Sequence, residues 1–274
     1  MKIEISIKGK KLQIDLTDDF YGESWWKDLE KLRYEPDTLN FIERETDANT
    51  IFLDIGVANG GMTLIAALCG ALVFSYEPFP TMFEVTKRNI ELNIDLKNRI
   101  QLRNVAISSR SGKIFFSKEA DSKILSSIVF PEKITEQVEI EVLSLKDEIE
   151  KLIDRYPDKR IVIKMDIEGA EWETLGDNSV LNSLRKCNAL LLIALHPGFH
   201  RPFISSHFGF QTLKRNFWRA KNFRDCYKLY INLNAIASIR RTNLDLVPNA
   251  FKFALLVTAG YFEFIVDFRG DNAN

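Results

Sequence analysis

Five carboxylates, one lysine and one histidine gather where short apolar runs come to an end, and they are the chemistry this chain offers first. The run Ile51 to Ile55 carries Asp54 next to its tip, Ala71 to Tyr76 stops at Glu77, Arg160 to Met165 stops at Asp166, and Ala189 to Leu195 stops at His196. Side chains in such places can accept hydrogen bonds from ligand hydroxyls or take a proton from a reacting group. In IVIKMDIEGAE, Ile161 to Glu171, Lys164 and Asp166 are two residues apart and so share one face of an extended chain. Asp166, Glu168 and Glu171 then crowd a single strand-to-helix corner. A helix start favours acids, but three acids beside a lysine exceed what a cap requires. His196 precedes Pro197 and Gly198, so its imidazole is expected in the same cleft, as a general base or a hydrogen-bond partner for a substrate. Lys164, Asp166, Glu168, Glu171 and His196 are therefore the candidate catalytic set. The other histidines are His200 and His207. Histidine and carboxylate suit several divalent ions, so a metal held by the protein is an open alternative, but it is not favoured, because Pro197 and Gly198 break the helix that would bring His196 and His200 onto one face.

The turn after Ile55 says what kind of ligand the first strand serves. Gly56, Gly60 and Gly61 let backbone pass close to a bound molecule, but their spacing is G-x-x-x-G-G. A dinucleotide site wants G-x-G-x-x-G to seat a pyrophosphate at a helix N-terminus. Asp54 would repel a pyrophosphate and welcome a cationic amino acid. S-adenosylmethionine, with an ammonium and a sulfonium, fits that charge pattern. Glu77, about 20 residues beyond the glycines, is placed to accept both hydroxyls of a ribose.

These residues need a frame. Short strands at Ile51–Ile55, Ala71–Tyr76, Ile100–Ile107, Arg160–Asp166 and Ala189–Leu195 alternate with helical patterns at Thr63–Leu68, Thr81–Asn93, Leu145–Ile153 and around Ala170–Leu175. That rhythm means an α/β protein with a doubly wound, mostly parallel, Rossmann-like sheet, whose ligands sit at the carboxyl ends of the strands. Lys113–Ser117 and Val138–Leu143 add strands. Phe251–Thr258 and Tyr261–Phe268, joined at Ala259-Gly260, are expected to close the sheet as an antiparallel hairpin. Ahead of the frame, Ile3–Ile7 and Leu12–Leu16 predict a hairpin laid against the main sheet, and Tyr21 to Ile42 reads as mostly helical. The expected division is an appendage over residues 1–48 and a main domain over 49–274, with a basic helical insertion at about 201–245.

With these residues in view, the chain resembles the FkbM family of S-adenosylmethionine-dependent methyltransferases, from about Tyr34 to His196. The likeness rests on YEPDTLNFI, Tyr34 to Ile42; DIGVANGGMT, Asp54 to Thr63; EPFP, Glu77 to Pro80; NIELN, Asn89 to Asn93; NVAIS, Asn104 to Ser108; and IKMDIEGAE, Ile163 to Glu171. It implies a class I methyltransferase fold. It also implies that Asp54, Gly56 and Gly60 contact the methionine part of the cofactor, Glu77 the ribose, and the turn from Val105 to Ile107 the adenine. Asn59, Pro78, Asn104, Ala106 and Asp166 belong to the same cofactor site. Members of the family typically methylate hydroxyl groups of sugars and other natural products, which is the activity the resemblance implies here.

Composition agrees with an enzyme that folds on its own. The 274 residues carry 37 basic and 38 acidic side chains, and 46% are hydrophobic, enough for a sizeable core. No apolar run reaches the roughly 18 residues that a bilayer demands, so the cytoplasm is expected, with peripheral contact to a membrane surface open. Cys69, Cys187 and Cys226 have no metal-like spacing and read as reduced structural thiols. From Arg201 to Arg241 nine basic residues face one acid, Asp225, with aromatics interleaved. Two readings stand there: a helical cap whose aromatics pack inward, or a capture surface for an anionic or lipid-linked acceptor. The expected function is O-methyl transfer to a saccharide or glycan hydroxyl. A ribose 2′-O-methyltransferase on RNA and a non-catalytic cofactor-binding scaffold are the alternatives.

Overall fold

A computed structural model describes residues 1–7, 9–117, 137–196, 211–259 and 261–269, and side chains within these except at 116, 117, 137 and 211–221. The chain opens with β1 (Lys2–Ile7), β2 (Lys10–Asp15), α1 (Gly22–Glu30) and α2 (Pro36–Glu45). It continues with β3 (Thr50–Ile55), α3 (Gly61–Leu68), β4 (Leu72–Tyr76), α4 (Pro80–Leu92), α5 (Ile94–Lys97) and β5 (Ile100–Arg103). Next come β6 (Ala106–Ser108), β7 (Gly112–Ser117), β8 (Gln137–Ser144), α6 (Leu145–Arg155), β9 (Arg160–Met165), α7 (Glu171–Thr174), α8 (Asn178–Lys186) and β10 (Leu190–Ala194). The last elements are α9 (Gln211–Asn234), β11 (Ser238–Arg241), α10 (Ala250–Thr258) and β12 (Glu263–Asp267).

Seven strands form the main sheet in the order β11-β12-β10-β9-β3-β4-β5. From β10 to β5 every pairing is parallel, while β12 runs antiparallel to both β10 and β11. The doubly wound sheet with an antiparallel edge is thus present. Every residue of β3 is buried, as a strand covered on both faces requires. Its Ile51, Leu53 and Ile55 join the core beneath α6, α8, α9 and α10, while Phe52 joins the opposite core with α1, α2, α3 and the hairpin. Each such side chain contributes about 1.5–3 kcal/mol on burial.

Two expectations need correction in detail. Phe251–Thr258 is the helix α10 and not the first strand of a C-terminal hairpin. Phe253, Ala254 and Val257 are buried on one helical face, and the Asn249 side chain caps the first turn by accepting from Lys252 N–H at 2.8 Å. The antiparallel partners of β12 are β11 and β10, both of which lie ahead of α10 in the chain. Second, Ile100–Ile107 is two strands, because β6 leaves the main sheet. It joins β7 and β8 in a separate three-stranded sheet, the place taken by the two strands expected near Lys113 and Val138. Tyr21 to Ile42 is mostly helical, as expected, in two helices with a break at 31–35, where Leu32 and Glu35 adopt left-handed backbone.

The expected N-terminal hairpin is present, in register from Lys2↔Asp15 to Ile7↔Lys10. Asn89 and Asn93 of the NIELN run fasten it: their Oδ1 atoms accept from Asp15 N–H at 2.8 Å and Gln13 N–H at 3.0 Å. The three cysteines are free. Among the described residues no helix is long and apolar enough to cross a membrane. Residues 197–210, with His200 and His207, lie outside the described residues, as do the side chains of the first half of α9, so neither reading of the basic segment is resolved there.

Candidate active site

The carboxyl end of β3 turns at Gly56, which has a φ of +84°, and a Cβ added there would stand 1.8 Å from the Asp166 carbonyl oxygen. Only glycine lets the tips of β3 and β9 come so close. Gly60, with a φ of +90°, is the N-cap of α3, and an added Cβ would meet Thr86 Cγ2 at 2.9 Å. Between them Ala58 also takes a left-handed φ of 57°. Its N–H then donates to Glu77 Oε2 at 2.8 Å, while Phe79 N–H donates to Oε1 at 2.9 Å. These donors fix the carboxylate at the tip of β4. Even so, burial pushes the Glu77 carboxyl up to about 7. Asn104 closes the far side by donating to the carbonyls of Glu77 at 2.8 Å and Pro78 at 3.0 Å.

Asp54 lies beneath this turn. It is wholly buried, its Oδ2 accepts from the Thr63 hydroxyl at 2.6 Å, and its Oδ1 has no hydrogen-bond partner among the described residues. Asn59 Nδ2 is likewise buried without a partner, while Asn59 Oδ1 accepts from Gly61 N–H at 3.3 Å. Such orphaned polar atoms are costly unless something satisfies them, and a cofactor with an amino acid end offers both donors and acceptors. Lys164 is the register partner of Asp54 on the neighbouring strand. Burial works against its charge, but Asp166, Asp54 and Glu35 together hold the ammonium above its ordinary range.

The corner after β9 is braced by Glu171. This fully buried side chain accepts from Ile167 N–H at 2.9 Å through Oε1 and from Gly169 N–H at 2.8 Å through Oε2. Its Oε1 is also 3.3 Å from His196 Nδ1, across from the tip of β10. His196 Nε2 points back to Asp166 Oδ1 at 3.6 Å and Glu168 Oε2 at 4.0 Å. Burial disfavours the imidazolium, yet the bond to Glu171 and the charges of Asp166 and Glu168 push it up to about 9. Lys164 Nζ meets Asp166 Oδ2 at 3.3 Å, as their shared face requires.

A cavity of about 370 Å³ runs along these strand tips. Gly56, Glu77, Pro78, Ala106, Asp166 and Glu168, all singled out in the sequence, stand on its wall. Asp54, Asn59, Gly60, Asn104, Val105, Lys164, Glu171 and His196 do not; they support residues that do, or lie buried behind them. Several wall residues carried no signal. Tyr21 comes from the appendage just ahead of α1, Arg110 from the turn after β6, Lys113 from β7 and Glu173 from α7. The aromatic cluster around Tyr21, Trp25 and Tyr34, with ring centroids 5.6 and 4.9 Å apart, is the one pattern that could have drawn attention to the appendage.

A parallel sheet with this antiparallel edge, a glycine turn at the first strand and an acid at the tip of the second define a class I methyltransferase. Residues 54–224 match the model of the methyltransferase FkbM domain, which covers more than half of the sequence. The chain belongs to that family, and its cofactor is S-adenosylmethionine. No curated protein sequence matches it. Among solved structures it is similar to a methyltransferase FkbM from Methylobacillus flagellatus KT, at 17% identity, over 64% of this chain and 38% of that one, with a TM-score of 0.36. The chain therefore spans well under half the length of that protein. TYW2 from P. horikoshii in complex with MeSAdo is similar at 12% identity, over 98% of this chain and 72% of that one, with a TM-score of 0.43. A geranyl diphosphate methyltransferase in complex with GPP and sinefungin is similar at 10% identity, over 94% and 87%, with a TM-score of 0.41.

Proposed function

We propose that this methyltransferase acts on a hydroxyl oxygen, and that the hydroxyl belongs to a saccharide or glycan intermediate. One observation carries the reading: Glu77, placed to accept ribose hydroxyls, and Asp166, a strand-tip carboxylate held between Lys164 and His196, share the wall of one cavity. When bound, the cofactor supplies an electrophilic methyl group on a sulfonium. Gly56 leaves room for its amino acid end, the Asp54 and Asn59 orphans lie beneath that end, and Glu77 fixes the ribose with Pro78 and Ala106 alongside. Asp166 is left to orient the incoming hydroxyl and to receive its proton, with Lys164 and His196 holding the carboxylate in place. Most of the rate then comes from presenting the oxygen in line with the methyl group, and proton removal adds a further factor. The family resemblance supports the saccharide class, and the rings of Tyr21 and Phe79 on the wall offer apolar faces to sugar C–H groups.

The test is transfer of label from methyl-labelled cofactor into fractionated cell extract, followed by mild hydrolysis of the product. Base-stable label in a glycan or sugar fraction supports the reading; label in RNA, or on nitrogen or carbon, overturns it. With the acceptor in hand, Asp166→Asn is expected to leave cofactor affinity within a few-fold and to slow transfer by on the order of a hundredfold.

A further inference from the structure

Asp166 and Glu168 follow β9, His196 follows the adjacent parallel strand β10, and one ligand atom of each falls within 4.8 Å of the other two. The facing atoms are Asp166 Oδ1, Glu168 Oε2 and His196 Nε2. Glu168 Oε2 is closed off from solvent and has no hydrogen-bond partner among the described residues, although it faces the imidazole at 4.0 Å. A buried carboxylate oxygen in that position wants a cation or a donor. Behind the ring, Glu171 accepts from the Nδ1 side at 3.3 Å and is itself fixed by two backbone N–H groups. Once an ion displaces the Nε2 proton, a carboxylate behind the imidazole keeps the remaining proton on Nδ1 and leaves the Nε2 electron pair outward, which is how metal-binding histidines are oriented.

We propose that Asp166 Oδ1, Glu168 Oε2 and His196 Nε2 form a three-ligand site for a first-row divalent ion. Lys164 occupies the second Asp166 oxygen at 3.3 Å, so Asp166 offers the ion a single oxygen. Separations of 3.6 and 4.0 Å suit donors spread at wide angles around an ion about 2.1 Å from each. Two carboxylate oxygens and one imidazole favour Mn²⁺, Co²⁺ or Zn²⁺ over Ca²⁺. Asp166 and Glu168 stand on the cavity wall, so the open coordination positions face the cavity. The role of the ion rests on the O-methyl reading above and takes over there the part given to Asp166: the ion holds the acceptor oxygen and lowers the pKa of the hydroxyl, whose proton passes to water and no longer to Asp166. The sequence argument against a metal concerned His196 and His200 on one helix; this set uses His196 with the acids of the neighbouring strand.

Binding is measured without acceptor and without turnover, by loss of the free Mn²⁺ paramagnetic signal on titration into the metal-stripped full chain. One ion per chain is expected, with a dissociation constant below about 100 µM, and Glu168→Gln and His196→Ala should each weaken it tenfold or more. Glu139→Gln, an exposed acid on β8, should bind as the parent does. Thermal melts report whether each variant folds; Glu168→Gln, at a partly exposed side chain, keeps the test intact if His196→Ala does not. No binding up to about 1 mM, or parental affinity in the folded Glu168→Gln protein, overturns the site. Methyl transfer to a hydroxyl by a chain that binds no Mn²⁺ would remove the ion and leave the proposed function standing.

Discussion

Glu77 shows how a single side chain can report on cofactor binding. Its carboxyl is raised from an ordinary 4.5 to about 7 by burial, against the pull of the N–H groups of Phe79, Ala58 and Val57. The folded protein therefore keeps a proton that the unfolded chain has already released. The stability from this group is complete below about pH 4.5 and is lost as pH rises through about 7. If Glu77 accepts from the ribose hydroxyls as proposed, they donate to its ionised form, so binding of S-adenosylmethionine should expel a proton near pH 7, and affinity should decline as pH falls below it. Calorimetry in buffers of different ionisation enthalpy measures that proton directly. Glu77→Gln should abolish it, and Glu77→Ala should weaken binding about ten- to a hundredfold, the equivalent of roughly 1.5–3 kcal/mol for hydrogen bonds to a charged group.

Among the elements, α4 ties the appendage to the cofactor turn. Asn89 is fully buried, accepts from Asp15 N–H of β2 at 2.8 Å and donates to the Asn59 carbonyl at 3.1 Å. Asn89→Ala strands both backbone groups, at about 1–3 kcal/mol each. The melting temperature should fall by roughly 4–20 °C and cofactor affinity should fall with it, whereas an appendage independent of the site would cost stability alone. At the other end of the molecule, Asn249→Ala removes the cap of α10 and should cost about 1 kcal/mol with cofactor affinity unchanged; a denaturant titration decides. That helix marks where the sequence was hardest to read. Phe251-Lys252-Phe253 alternates as a strand would, the segment is rich in β formers, and the capping side chain lies one residue before it. The central strands were legible because a strand buried on both faces is a continuous apolar run. The strand tips were legible too, since a charge ending such a run has few structural reasons to be there. What could not be read were contacts made in space: the bond from Glu171 to His196 spans 25 residues and Tyr21 reaches the cavity from a different layer, and no periodicity encodes either.

For the whole molecule, charge is nearly balanced but unevenly spread, and the excess of base from Arg201 to Arg241 is the feature that concerns the acceptor. Replacing Lys214, Arg215 and Arg219 with glutamine should raise the acceptor KM and leave cofactor affinity alone, and the defect should shrink as salt screens the parent's attraction. Steady-state kinetics across a salt series checks this. Unchanged kinetics with a lowered melting temperature would make the segment a structural cap. A steep salt slope, one charge for each phosphate neutralised, would point to RNA instead.

The sheet order also sets a timetable for synthesis. Strand β12, the last of the described strands in the chain, is seated between β10 and β11, both made earlier. Until Glu263–Asp267 arrives, β10 presents the open edge of Leu190–Ala194, an apolar template of the kind that pairs with other unfinished chains. Strands β3, β4 and β9, whose tips border the cavity, are complete long before that moment. A nascent chain would thus wait with its cavity half assembled and its flank unguarded. Translation that stops short of β12 should yield protein lost to aggregation or proteolysis instead of a smaller working enzyme.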